Sequence, residues 1–271
     1  MKLFTKTCKK DFEFLSLAIK TAIYRCDDEI FWTFICDTKE HELLLSIINS
    51  AIQKTKKQFN YRIFEVQEYW SDGLAISDGY LIQQWVKMNA HRVMKDSWGG
   101  YFMNWDSDVI ALRSFSENCF KGLTGKPIFY MTPFNHLIKH FSKVGPKESM
   151  VCMIERQHFL KKVMNLKDVP FELMRTAPQC MHSEILEFGS TRPEWNNVRT
   201  TLINKQGAGM SEFCIIGIIS QLFFPYLYEW RHTEKESFIS WKGPVNDPNT
   251  IIYQREGWVN LTDEIKNLAN F

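Results

Sequence analysis

Two aspartates separated by one serine, Asp106-Ser107-Asp108, are the residues of this chain best placed to do chemistry. They follow one apolar run, Gly100 to Trp105, and precede another, Val109-Ile110-Ala111-Leu112. Strand alternation would set both carboxylates on one side of the backbone. A bare Asp-x-Asp is also common in solvated turns. Between two buried segments, however, paired carboxylates carry a desolvation cost that a bound cation relieves. Hard divalent ions, Mn²⁺ or Mg²⁺, take oxygen ligands and combine one or two carboxylates with water and substrate phosphates. Asp106 and Asp108 are therefore the expected metal ligands, and a diphosphate is the group such a metal would hold as negative charge develops on it.

The elements that must position this pair can be read from hydrophobic periodicity. Lys2 to Thr7 reads as a short strand, and Asp11 to Tyr24 as a helix with Phe12, Leu15, Ile19 and Ile23 on one face. Ile30 to Cys36 is a near-continuous apolar run, the pattern of a strand buried on both faces of a parallel sheet. Asp37 ends it, and Thr38 is placed to cap a helix carrying Leu43, Leu44, Ile47, Ile48 and Ile52. Tyr61 to Val66 reads as a third strand. A helix starting at Ser77 or Asp78 carries Leu81, Trp85, Met88 and Val93, and Gly100 to Trp105 is the fourth strand. Strand and helix alternating in this way specify an α/β fold, a mostly parallel central sheet flanked by helices. Ligands of such sheets bind outside the carboxyl ends of the strands. That places Thr5, Lys6, Thr7, Asp37 and the Asp106 to Asp108 triplet at the expected site.

The second half is less regular. Pro127 to Met131 reads as a strand, and Phe134 to Phe141, Ile154 to Met164 and Ser211 to Phe224 read as helices, with a last helix from Thr262. No flexible linker divides the chain. The expectation is one domain, with residues 1–115 as a nucleotide-binding half and 116–271 as an acceptor-binding half.

Composition narrows the function classes. With 271 residues and 45% apolar content the chain can build a substantial core. A net charge of +2 and a pI near 8.1 give no strong electrostatic case for nucleic acid or an anionic membrane as partner. Seven scattered cysteines without a CxxC pair read as free thiols of a reducing compartment. The start lacks the pattern of a signal peptide, and no run is long enough to span a bilayer, so a cytoplasmic location is expected. No P-loop, no dinucleotide-binding glycine fingerprint and no nucleophile elbow is present. His136 and His140 are four apart, but Leu137 stands where a zinc protease needs its glutamate.

Three segments carry a more specific resemblance. Trp105-Asp106-Ser107-Asp108-Val109-Ile110-Ala111-Leu112-Arg113-Ser114-Phe115 resembles the D-x-D region of GT-A glycosyltransferases. Gly79-Tyr80-Leu81-Ile82-Gln83-Gln84-Trp85-Val86-Lys87-Met88 is similar to the Gly-Tyr, Gln-Gln and Lys pattern of an uncharacterised GT-A-like family of sugar transferases from bacteria and phages. Met210-Ser211-Glu212-Phe213, with Gly217 after it, is similar to that family's Ser-Glu-aromatic segment. The resemblance implies a GT-A (Rossmann-like nucleotide-diphospho-sugar transferase) fold and a metal-dependent glycosyltransferase. The donor would be a nucleotide sugar, with a UDP-sugar favoured. The acceptor stays open among a glycan, a lipid-linked sugar, a protein and a modified DNA base.

The same resemblance implies roles for individual residues. Thr5, Lys6 and Thr7 would sit near the nucleoside, and Gln83, Gln84 and Lys87 would face the donor. Glu212 would serve as base for the acceptor hydroxyl or as a contact to the sugar, and His182 or His232 would be a third metal ligand. Each has a plainer reading too. Gln83 and Gln84 suit a polar helix face, Glu212 suits a helix N-terminus, and most histidines are structural. Two other functions fit a similar scaffold. A nucleotidyltransferase acting on a sugar phosphate would need a glycine-rich loop after the first strand, and residues 5–10 contain no glycine. A catalytically inactive GT-A-like binding module would not need both aspartates.

Overall fold

The computed structural model describes residues 1–94, 100–144, 147–173, 178–204, 210–232, 239–240 and 251–254. The elements run β1 (Lys2–Lys6), α1 (Phe12–Arg25), β2 (Phe31–Cys36), α2 (His41–Thr55), β3 (Asn60–Glu65), α3 (Val66–Tyr69), α4 (Gly79–Met88), α5 (His91–Met94), β4 (Tyr101–Asn104) and β5 (Val109–Ala111). They continue with β6 (Ile128–Pro133), α6 (Phe134–Val144), α7 (Lys147–Val163), β7 (Phe171–Leu173), β8 (Gln179–His182), α8 (Ser183–Ser190), α9 (Pro193–Ile203), α10 (Glu212–Phe223), β9 (Glu229–His232), β10 (Ile239–Ser240) and β11 (Ile252–Gln254). The helix expected from Thr262 lies outside the described residues.

The central sheet has the order β3-β2-β1-β4-β8. β1 pairs in parallel with β2 on one side and β4 on the other, and β2 with β3. Strand order therefore reverses at β1, and the crevice between the carboxyl ends of β1 and β4 is the topological switch point. Alternation sorts the side chains into two cores. Leu3, Trp32, Phe34, Met103 and Trp105 pack against Leu15 and Ile19 of α1 and Leu44 and Ile48 of α2. Phe4, Ile35, Phe102 and Met181 pack with residues of α4, α8, α9 and α10 on the opposite face. All of these apolar side chains are nearly or wholly inaccessible, which accounts for the apolar runs read in β1, β2 and β4.

The sequence does not announce β8. It joins β4 antiparallel, with Gln179 opposite Asn104 and His182 opposite Tyr101. Two smaller sheets complete the fold: β7-β6-β9, and β10-β11-β5, in which β11 lies antiparallel to β5 directly after Asp108. Two local expectations fail for identifiable reasons. The helix expected to reach Val93 stops at Met88, where the Asn89 side-chain amide donates to the Trp85 carbonyl (2.9 Å) and competes with the backbone ladder. Thr38 does not cap α2: its N–H and hydroxyl both bond Gln67 Oε1, and a short 3-10 turn intervenes.

Candidate functional site

The Asp106 to Asp108 turn is held at both ends. Trp105 donates its N–H to Phe4 O (2.8 Å), extending the β1–β4 pairing past Asn104. Its indole, buried and stacked on Phe115, donates to Val109 O (3.0 Å). Val109 N–H closes the turn on Asp106 O (3.0 Å), and β5 beyond it is fully buried. Asp106 is consequently only 8% exposed, while Asp108 is half-buried. Both carboxylates stand at the carboxyl end of β4, beside the switch point.

α4 reaches the same place from the side. Asp78 caps it, accepting from Tyr80 N–H (2.8 Å) and Leu81 N–H (3.2 Å). Gln84 and Lys87 lie three residues apart and share the inward face. The Lys87 ammonium is 2.6 Å from Asp106 Oδ1 and 3.0 Å from Glu212 Oε1, and lies 4.9 Å from the centre of the Phe213 ring. Asn104 Nδ2 donates to the same Asp106 oxygen (3.0 Å). Gln84 Oε1 accepts the N–H of Glu212, the first residue of α10 (3.1 Å). Glu212 is thus held through its backbone by one α4 residue and through its side chain by another.

The triad is almost closed to solvent: Lys87 and Glu212 are each 2% exposed. Burial alone would drive the Lys87 ammonium toward neutrality. Asp106 first and Glu212 second outweigh it and hold the lysine above its ordinary pKa. Burial pushes the Glu212 carboxyl upward, against the pull of Lys87 and with the repulsion of Asp106. Tyr80, one turn before Gln84, has its hydroxyl pushed up to about 12 by lost hydration and then by Glu212, although the residue is 53% exposed at the rim.

Other candidates are placed differently. Thr5 is fully buried and its hydroxyl is spent inside the core, donating to Trp105 O and accepting from Trp32 Nε1. Lys6 Nζ turns to Thr7 O (2.6 Å). The Thr7 hydroxyl, buried at the end of β1, has no hydrogen-bond partner among the described residues. Asp37 and Gln83 are half-buried, Asp37 ending β2 and Gln83 off the Gln84–Lys87 face.

Neither histidine is brought to the aspartates. His182 stands opposite Tyr101, at the far end of β4, where its Nδ1 accepts from Glu184 N–H (3.3 Å) and caps α8. His232 belongs to the β7-β6-β9 sheet, where it is opposite Met131 and near Phe171. No group of three His, Cys, Asp or Glu able to hold a metal occurs among the described residues. A hard divalent ion at this turn would rest on Asp106 and Asp108, and two carboxylates suffice when water and phosphate complete the shell. Lys87 and Asn104 both engage one oxygen of Asp106.

The sequence places Tyr80 in the Gly-Tyr pattern without a role, and it gives none to Asn104. Tyr80 keeps the helical spacing of Gln84 and Lys87, a signal that was available. Asn104 is apparent only once β4 is known to end there.

No family model matches the chain, and no curated protein matches it in sequence. Solved structures do. The galactosyltransferase LgtC, crystallised with donor and acceptor sugar analogues, is similar over 99% of this chain and 95% of its own, with 13% identity and a TM-score of 0.55. Core-mannan synthase A (CmsA/Ktr4) from Aspergillus fumigatus, in an Mn/GDP form, is similar over 84% of this chain and 72% of its own, with 9% identity and a TM-score of 0.50. At these identities the likeness is one of fold, and the fold is GT-A-like.

Proposed function

We propose that this chain, built on the GT-A-like glycosyltransferase fold, transfers a hexosyl or pentosyl group from a nucleotide-diphosphate sugar, with a UDP-sugar favoured, to a hydroxyl-bearing acceptor. One observation carries the reading: the buried Lys87–Asp106–Glu212 triad lies at the carboxyl end of β4, beside the switch point where α/β sheets bind their ligands. A lysine buried with two carboxyl groups is costly, and structural stability alone does not reward it. The sugar-analogue complex of LgtC and the Mn/GDP form of the mannan synthase support the same substrate class.

In this reading Asp106 and Asp108 hold Mn²⁺ or Mg²⁺. When bound, the ion supplies Lewis-acid neutralisation of the departing diphosphate. The protein's own groups do the rest. Lys87 adds a fixed positive charge beside Asp106 and keeps that carboxylate oriented. Glu212 is held against the reacting region by Gln84 and Lys87, as a contact to the sugar or as the base that takes the acceptor proton. Thr7, at the end of β1, offers a hydroxyl to the nucleoside. No helix among the described residues is long and apolar enough to cross a membrane.

Incubation with a panel of nucleotide sugars and Mn²⁺ tests the proposal, because slow donor hydrolysis releases a nucleoside diphosphate even without the acceptor. Pyrophosphate released in a parallel incubation with a nucleoside triphosphate and a sugar 1-phosphate would assign a nucleotidyltransferase instead. Saturable sugar binding without turnover would assign a binding module. Asp108→Asn is expected to abolish metal-dependent donor binding and leave the fold intact; a variant that binds donor and metal like the parent would remove Asp108 from the site.

A further inference from the structure

The opposite end of the central sheet holds a cavity of about 510 Å³ that plays no part in the site described above. It opens at the first residues of β1, β2 and β4: Lys2, Phe31 and Tyr101 line it together with Met103, Phe120 and Cys180. Four strand residues, roughly 13 Å, separate this end of β1 from its carboxyl end. The size lies within the range of small-molecule pockets, and the walls are predominantly apolar and aromatic.

Most polar groups of the lining have partners among the described residues. Asp28 accepts the backbone N–H of Glu117. Glu29 accepts from Asn60 Nδ2 (2.8 Å). Glu117 is paired with Lys121 at 2.6 Å. Lys2 is left: its Nζ is buried and has no hydrogen-bond partner among the described residues. Burial pulls its pKa down to about 8, against a smaller upward pull from Glu117. An amine with three donors and no acceptor, beside an apolar cavity, is an unsatisfied group of the kind a ligand completes.

We propose that this cavity is a second binding site, for a small organic anion with an apolar, ring-bearing body whose acidic head pairs with the Lys2 ammonium. The aromatic walls take the body and the lysine takes the head, so charge selects among ligands of similar shape. The site is remote from Asp106 and does not depend on the glycosyl-transfer reading.

Anilinonaphthalene sulfonate and N-phenyl-naphthylamine, the same ring system without the sulfonate, are suitable fluorescent probes. The intact chain is expected to bind the sulfonate saturably, one per chain. Lys2→Met, which keeps the aliphatic stem, is expected to weaken it by about tenfold or more while leaving the neutral probe unchanged, and Lys2→Arg to restore it. Absence of a saturable site, or equal sulfonate affinity in the parent and Lys2→Met, overturns the proposal. Should Lys2→Met also lose the neutral probe, the cavity has collapsed and Lys2→Arg decides: recovered sulfonate binding supports the site, and failure to recover overturns it.

Discussion

Lys87 governs the electrostatics of the site, because it is the group that lets two buried carboxylates approach one another. Its ammonium contacts Asp106 and Glu212 at 2.6 and 3.0 Å. Lys87→Met would leave both acids desolvated and facing each other, a loss of about 3–5 kcal/mol readable as a lower urea midpoint. Pairing it with Glu212→Gln should recover part of that loss, since only one buried charge then remains. Glu212 gives a pH signature. Its folded-state pKa is raised above the ordinary 4.5, so its favourable contribution is fully present below that value and is lost as pH climbs through the folded pKa. The stability of the parent relative to Glu212→Gln should therefore fall as pH rises above the ordinary glutamate value of 4.5 in parallel urea titrations. A difference that stays constant would show Lys87 to have cancelled the effect of burial.

Among the elements, β8 is the one whose placement most affects interpretation. Joined antiparallel to β4, it brings Gln179 to the site end of that strand and carries His182 away to the other. His182 is built into the joint there. Its ring meets Tyr101 edge to face, with centroids 4.4 Å apart, and caps α8. It also lies against Gly100, which has φ +77°, and a Cβ on that glycine would come within 2.6 Å of the imidazole. Gly100→Ala combines a left-handed backbone with this clash and should cost about 1–3 kcal/mol, seen as a lower thermal midpoint. Adding His182→Ala should relieve the steric part and leave the backbone part. Full additivity of the two changes would show that the residues do not touch.

For the whole molecule, the arrangement predicts that ligand and fold stability are linked. The site joins β1, β4, α4 and α10, elements from both halves of the chain, and a donor bound there holds them together. At a hundred times its Kd, a nucleotide sugar with Mn²⁺ should add about 2.7 kcal/mol, a rise in thermal midpoint of roughly 5 °C for a chain of this size. The rise should need the metal and should vanish in Asp108→Asn. A donor that shifts the midpoint equally with and without Mn²⁺ would argue that Lys87 alone supplies the positive charge.

Local pattern determined much of this protein. The apolar runs of β1, β2 and β4 and the helical spacing of α1 and α2 specified a parallel α/β sheet, because alternating buried strands and amphipathic helices have few other ways to pack. The D-x-D turn could be singled out by residue type and context, and Gln84, Lys87 and Glu212 by the resemblance to a GT-A-like family. Their relation could not. That Lys87 is spent on Asp106 and Glu212, that Gln84 grips the start of α10, that Thr5 turns into the core and that His182 sits at the wrong end of its strand are facts of long-range pairing. Periodicity reports which face of an element is buried. Which distant residue it is buried against depends on register and strand order, and these are set only when the whole chain closes around its core.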